Sequence, residues 1–286
     1  MQQTLSADLA DLNEPALTAA PVAHQAWERL AGLTQLKSLI ERRVVLPIHE
    51  RTRAEKHGLT PPGAMLLFGP PGTGKTALAQ AIAGRLGWPF IDVDLAMVAL
   101  DSVRLRRLFA RLFRLEQSVI FFDEFEHLGL KRDGQTGPVE PITVQLLRGL
   151  PKLRASGNVL VICATNYVRL LDPAVLRPGR FDLVLPIGPP EPADRHELLR
   201  WLLARHRRGV VDFERVVERS EGLTFADLQA VCQSAAQAAF EREVRHGGES
   251  RLETSDLLLA LDQARPTLVG EEREAFLEDV ARLARY

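Results

Sequence analysis

"GAMLLFGPPGTGKTALAQAIAGRL", residues 63 to 86, decides the fold. It opens with a short apolar run closed by Gly69 and Pro70, the pattern of a buried strand. It ends in "KTALAQAIAGRL" (75–86), rich in strong helix formers. Between them "GPPGTGKT", Gly69 to Thr76, matches G-x-x-x-x-G-K-[ST] in full and in the required strand–loop–helix context. Glycines let backbone N–H groups curl around a phosphate without a side-chain clash. The following helix directs its positive end at the anion. Lys75 can then reach the β- and γ-phosphates, and Thr76 can place its hydroxyl on Mg²⁺. The phosphate-binding set is therefore Gly69, Pro70, Pro71, Gly72, Thr73, Gly74, Lys75 and Thr76. An ordinary Gly/Pro turn is the competing reading, and the flanking elements weigh against it. The chain writes nearly all its cations as Arg, so a Lys here fits the need for a compact point charge.

Downstream, apolar strands alternate with helices. "WPFIDVD" (88–94), "SVIFFDEF" (118–125) and "NVLVICATN" (158–166) read as strands. "SVRLRRLFARLFRLE" (102–116) and "VQLLRGLPKL" (144–153) read as helices. Such alternation predicts an α/β fold, a mostly parallel sheet covered by helices on both faces. Before the phosphate loop, "LTQLKSLIERRVVLPI" (33–48) has helical spacing and is expected to stop at Pro47. After Pro189 and Pro190 the pattern is helical throughout, which predicts a small all-helical second domain with N-caps at Thr224 and at Thr254 or Ser255. The expected organisation is a flexible lead-in over 1–24, an α/β domain over 25–188 and a helical domain over 189–286.

"VIFFDE" (119–124) puts two carboxylates at the end of a strand, where a parallel sheet faces its ligand crevice. Asp123 can hold Mg²⁺ through water. Glu124 is then placed to orient and deprotonate an attacking water. Asn166 ends the next strand and can hold that water or the γ-phosphate; alone it would be a turn-former. "LRPGRFD" (176–182) sets Arg177 and Arg180 around a Pro-Gly turn, which by itself could simply face water.

The chain is 46% hydrophobic and 26% charged, with a formal net charge of −1, which fits a globular protein and gives no general pull toward nucleic acid or acidic membranes. No apolar run is long enough to span a bilayer, and the acidic start of the chain has no basic region of a secretory signal. Cys163 and Cys232 sit in apolar runs and read as buried free thiols, pointing to a reducing cytoplasm. No metal-ligand spacing of Cys or His and no H-E-x-x-H motif occurs.

Taken in order, "GPPGTGKT", "FFDE", "ATN" and "LDPAVLRPGRFD" resemble the AAA ATPase family, specifically its classical branch. "WERLAGL" (27–33), with Ala31, looks like the family's approach to the adenine pocket, and "GLTFADLQAVC" (222–232) like its lid. The tail "ARPTLVGEEREAFLEDVARL" resembles the last helix of the katanin-like and membrane-remodelling subgroup. The resemblance implies a P-loop NTPase domain with a helical lid, ATP and Mg²⁺ as cofactors, and hydrolysis to ADP and phosphate. It implies that Arg177 and Arg180 act as arginine fingers in a neighbouring subunit's site, in a homo-oligomeric ring of six. It implies work on a protein substrate or adaptor. An ATP-bound scaffold or switch, and a DNA-handling relative, are the alternative functions; the intact Asp123 and Glu124 favour turnover, and the near-neutral charge disfavours DNA.

Three departures stand out. The lid reads Thr224-Phe225-Ala226-Asp227 where the family has Ser-Gly-Ala-Asp; Ala226 keeps the adenine side, but Phe225 is bulky where Gly lets backbone approach. Pro141 and Ile142 stand where arginines are usual. The stretch "DLAMVALDSVRLRRLF" (94–109) lacks the aromatic and Gly of a pore loop and offers Met97, Val98 and Leu100 as its apolar contacts.

Overall fold

The sheet has six strands: β1 (Leu17–Ala20), β2 (Ala64–Phe68), β3 (Phe90–Val93), β4 (Ser118–Phe122), β5 (Val159–Thr165) and β6 (Leu183–Pro186), in the order β1-β3-β4-β5-β2-β6. The computed structural model describes residues 16–20, 22, 25–95, 102–129, 148–155, 157 and 159–286. All neighbours pair in parallel except β1, which runs antiparallel to β3 with Leu17 opposite Val93. Successive side chains of a strand face opposite sides. Leu66, Ile120 and Val161 accordingly enter one core while Leu67, Phe121 and Ile162 enter the other. Both faces are covered, which is why these strands read as unbroken apolar runs rather than alternating ones.

Helix α1 (Lys75–Leu86) buries Leu78, Ala79, Ile82 and Leu86 on one face of the sheet. Helix α2 (Ser102–Leu112) covers the other with Leu105, Leu108, Phe109 and Leu112, the i, i+3, i+4, i+7 stripe of an amphipathic helix. The lid is built by α3 (Pro192–Leu203), α4 (Phe213–Arg219), α5 (Phe225–His246) and α6 (Thr254–Gln263) around their own core, which includes Leu199, Leu228 and Leu257. Helix α7 (Gly270–Leu283) returns to the sheet and packs Phe276, Val280 and Leu283 on the first core.

Four expectations change. Within 1–24, expected as a flexible lead-in, Leu17–Ala20 forms β1, because Ala16 and Leu17 find room in the core and the strand pairs with the edge of β3. Strand β6 is short, lies between the arginine turn and the prolines, and is not among the strands named from sequence. Pro47 does not stop its helix: Thr34–Ile40 passes through a π turn, Glu41–Val45, and Pro47 falls in the first turn of Leu46–His49, where a missing N–H costs little. Helix α6 is capped by Glu253 with Asp256, not by Thr254 or Ser255, whereas Thr224 caps α5 with Asp227 as expected. Of the stretch 144–153, residues 148–153 are helical, in a helix that runs on to 155; residues 144–147 and Met97, Val98, Leu100, Pro141 and Ile142 lie outside the described residues.

Both cysteines are buried. Burial raises the Cys163 thiol well above its ordinary range and pushes Cys232 up to about 12, so neither is a reactive thiolate. Among the described residues no helix is long and apolar enough to cross a membrane, and no cluster of His, Cys, Asp and Glu is arranged to hold a metal ion by itself.

Candidate nucleotide-binding site

The loop after β2 is shaped by its glycines. Gly69, Gly72 and Gly74 all have positive φ (153°, 75° and 89°), which L side chains rarely adopt. Thr73 is fully buried and its hydroxyl donates to the Pro70 carbonyl at 2.9 Å, tightening the turn. Lys75, only 7% exposed, donates its ammonium to the carbonyls of Gly69 (2.8 Å) and Pro70 (2.9 Å). Burial lowers Lys75 to about 8, against the pull of the nearby Asp123 and Glu126 carboxylates, which raise it. The loop thus holds a cation that is short of water, at the start of a twelve-residue helix. An anion there would relieve both.

Strand β4 delivers the acids. Asp123 Oδ2 accepts from the Thr76 hydroxyl at 3.0 Å, and Asp123 Oδ1 from the Glu124 N–H at 2.9 Å. Glu124 sits in the left-handed region, φ 47°, which is costly for a residue with a Cβ and frequent at functional positions. The next two backbone bonds, Phe125 N–H to the Ala164 carbonyl and His127 N–H to the Glu124 carbonyl, both 2.9 Å, hold this kink. Its carboxylate is exposed, 3.6 Å from His127 Nδ1. Asn166 follows directly from β5, whose Thr165 carbonyl accepts from Gly69 N–H at 3.3 Å, so the asparagine is tied to the loop.

These groups share a cavity of about 900 Å³. It is lined by Pro71, Gly72, Gly74, Lys75, Thr76, Asp123, Glu124 and Asn166 on one side, and by Ala31, Phe225 and Ala226 on another. Gly69, Pro70 and Thr73 do not line it; they hold the loop from behind. The lid docks on the loop directly: Ala226 N–H donates to the Gly72 carbonyl at 3.0 Å. A Cβ on Gly72 would stand 2.8 Å from that of Ala226. Phe225 packs against both the sheet core and the lid core, and its ring lies 3.3 Å from where a Cβ on Gly32 would be. The bulky residue therefore wedges between the domains instead of filling the loop. Asp194 at the start of α3 completes the joint, accepting from Thr34 N–H (3.0 Å) and its hydroxyl (2.7 Å).

Arg177 and Arg180 do not line this cavity. Arg177 is exposed on the turn. Arg180 is half-buried, and its buried Nη1 has no hydrogen-bond partner among the described residues.

Two family models match: the ATPase family associated with various cellular activities (AAA) over residues 65–189, and the AAA+ lid domain over 211–256. The chain belongs to the AAA family of ATPases. Among AAA relatives, it is 36% identical over 227 residues to the Cell division cycle protein 48 homolog of Archaeoglobus fulgidus, covering 76% of this chain and 30% of that protein. It is 33% identical over 282 residues to the Proteasome-activating nucleotidase of Methanothermobacter thermautotrophicus, covering 91% of this chain and 65% of that protein. The chain spans about a third of the length of curated relatives such as the Archaeoglobus fulgidus protein, 30% of which it covers. The crystal structure of the FIGL-1 AAA domain in complex with ADP superposes with a TM-score of 0.79 at 25% identity, covering 98% of each chain.

The AAA cavity also includes residues that sequence reasoning passed over. Leu198, Trp201 and Leu202 of α3 and Gln229 of α5 line it from the lid. Nothing in "ELLRWLLARH" marks its tryptophan as a pocket residue rather than a core one. Glu126 is 6% exposed, with Oε2 lacking a hydrogen-bond partner among the described residues, and it acts electrostatically on Lys75. The available signal was a third acid two residues beyond Glu124.

Proposed function

We propose that this chain binds Mg-ATP and hydrolyses it in a homo-oligomeric ring that rearranges or disassembles a protein partner. The observation that carries the reading is the convergence on one cavity of the partly desolvated Lys75, the Thr76–Asp123 pair at 3.0 Å and the strained Glu124. The donor set suits the ligand: glycine N–H groups and a lysine for phosphate, a hydroxyl and a carboxylate for a hard divalent cation. Thr76 and Asp123 would hold Mg²⁺, which when bound neutralises charge on the β- and γ-phosphates.

The chain's own residues then divide the work. Lys75 exchanges its carbonyl partners for phosphate oxygens. Glu124, exposed on its kink, accepts a proton from water at its carboxylate oxygen. Asn166 orients that water or the γ-phosphate. Ala31 and Ala226 flank the base. In the proposed ring, Arg177 and Arg180 reach the site of the next copy, where they stabilise charge spread over the transferring group. Residues 25–188 are the ATPase domain and 189–286 the lid with its returning helix. The buried unpaired thiols favour work in the cytoplasm.

Glu124→Gln tests the chemistry. Binding of a fluorescent ATP analogue should persist while turnover falls by about 10²–10⁴-fold. Turnover at the parent rate would reject Glu124 as the base.

A further inference from the structure

Helix α7 leaves the lid and ends beside the arginine turn. Its first anchor is Arg169, in the short 3-10 turn Val168–Leu170 that follows β5. Arg169 donates Nε to both Asp279 oxygens at 2.9 Å and Nη2 to Glu278 at 2.8 Å and to the Ala275 carbonyl at 2.6 Å. Its second is Phe276, which lies against Phe68 with ring centroids 6.2 Å apart. After the helix, Arg285 pairs its main chain with Val184 of β6, each N–H donating to the other's carbonyl at 2.9 Å. The Arg285 guanidinium then does something the pairing does not require. Nη2 donates to the Phe181 carbonyl at 2.8 Å and Nη1 to the Leu176 carbonyl at 3.4 Å.

Leu176 and Phe181 are the residues immediately flanking Arg177–Arg180. The turn between them has Pro178 and a left-handed Gly179 at φ 89°, and a Cβ at Gly179 would meet nothing within 4 Å. Its tip has little packing to fix it. On the far side, Phe181 is 1% exposed and anchored edge-on against Phe125, 5.9 Å away. The leading end has its own backbone bonds, Leu176 N–H to the Pro173 carbonyl at 3.2 Å and Arg177 N–H to the Ala174 carbonyl at 3.4 Å. It is the Arg285 fork that joins that end to Phe181, a two-point hold that a lysine's point charge cannot make. At its other end the segment leading into α7 is fixed to the lid: Thr267 donates its N–H (3.1 Å) and hydroxyl (2.7 Å) to Asp227, the acid that caps α5 next to Ala226.

We infer that Arg285 is a positioning residue for the arginine turn, through which the lid over one nucleotide site sets the aim of Arg177 and Arg180 at the next. The inference rests on the reading that those arginines act on a neighbouring copy. Because α7 is held by Arg169, by Phe276 and by main-chain pairing, changing the Arg285 side chain leaves its docking in place.

The test mixes full-length chains. Arg285→Ala should bind a fluorescent ATP analogue with unchanged Kd, sediment in ATP as the parent does, and lose turnover at least about tenfold through kcat. Mixed with Lys75→Ala, whose turn is intact, it should regain activity several-fold over either variant alone. Arg285→Lys should fall between parent and Ala, and it supplies the same readouts if Arg285→Ala does not fold. The control mixture is Arg177→Ala with Lys75→Ala. If the control regains activity and the Arg285→Ala mixture does not, or if Arg285→Ala turns over at the parent rate, the positioning role is wrong. If the control itself stays inactive, the trans reading fails and this inference with it.

Discussion

Lys75 shows how a residue type and a spacing become a site. Its place in the loop is written in the motif. Its state is not: burial holds its ammonium at a pKa of about 8 instead of 10.5, opposed by Asp123 and Glu126. The sign follows. Between those two values the unfolded chain carries a proton that the folded chain lacks, so the penalty of burying this ammonium is relieved, and stability rises, as pH climbs through that window. Nucleotide binding runs the other way. Phosphate charge favours the ammonium, so above pH 8 binding must take up a proton. Affinity should fall by about tenfold between pH 7 and 9, with proton uptake visible by calorimetry in buffers of different ionisation enthalpy. An affinity that is level across that range would show Lys75 fully charged in the free protein. Thr76 and Asp123 were equally legible, since motif and strand end fix both. The left-handed backbone of Glu124 was not, because nothing in "FFDEFEHL" is a glycine or asparagine that would announce it.

Elements were legible where one period dominates. The alternation hidden in β2, β4 and β5 is invisible because both faces are buried, yet length and flanking turns still identify them as strands. β1 was not legible: a four-residue run among alanines carries no pattern, and only the open edge of β3 makes it a strand. The π turn at Glu41–Val45 escaped because helical spacing continues through it. The joint between loop and lid was half legible. Ala226 and Phe225 could be named, but the wedge of Phe225 against Gly32 depends on how two domains meet. That joint makes a prediction. Gly72→Ala places a Cβ at φ 75° and 2.8 Å from Ala226, so it should cost about 1–2 kcal/mol of stability, seen in thermal melts, and weaken nucleotide binding by loosening the lid. A variant with parent melting temperature and affinity would show that the lid does not bear on the loop.

At the scale of the whole molecule, the cavity gathers Lys75, Thr76, Asp123, Glu124 and Asn166 but neither of the two arginines that the sequence singled out. Arg177 stands exposed and Arg180 half-buried, both on a turn whose two flanking carbonyls accept from Arg285, just past α7. Neither lines its own chain's cavity, and the proposed ring would bring that turn to a second copy. The sequence could pair these arginines with the site by resemblance, but their brace was out of reach, because Arg285 and Leu176 are joined only by the returning helix. The most direct test is ATP hydrolysis per subunit across a dilution series that spans assembly, with sedimentation on the same samples. A site completed by its neighbour predicts activity per subunit that rises with concentration in step with assembly. Activity that stays constant down to fully dissociated chains would contradict it.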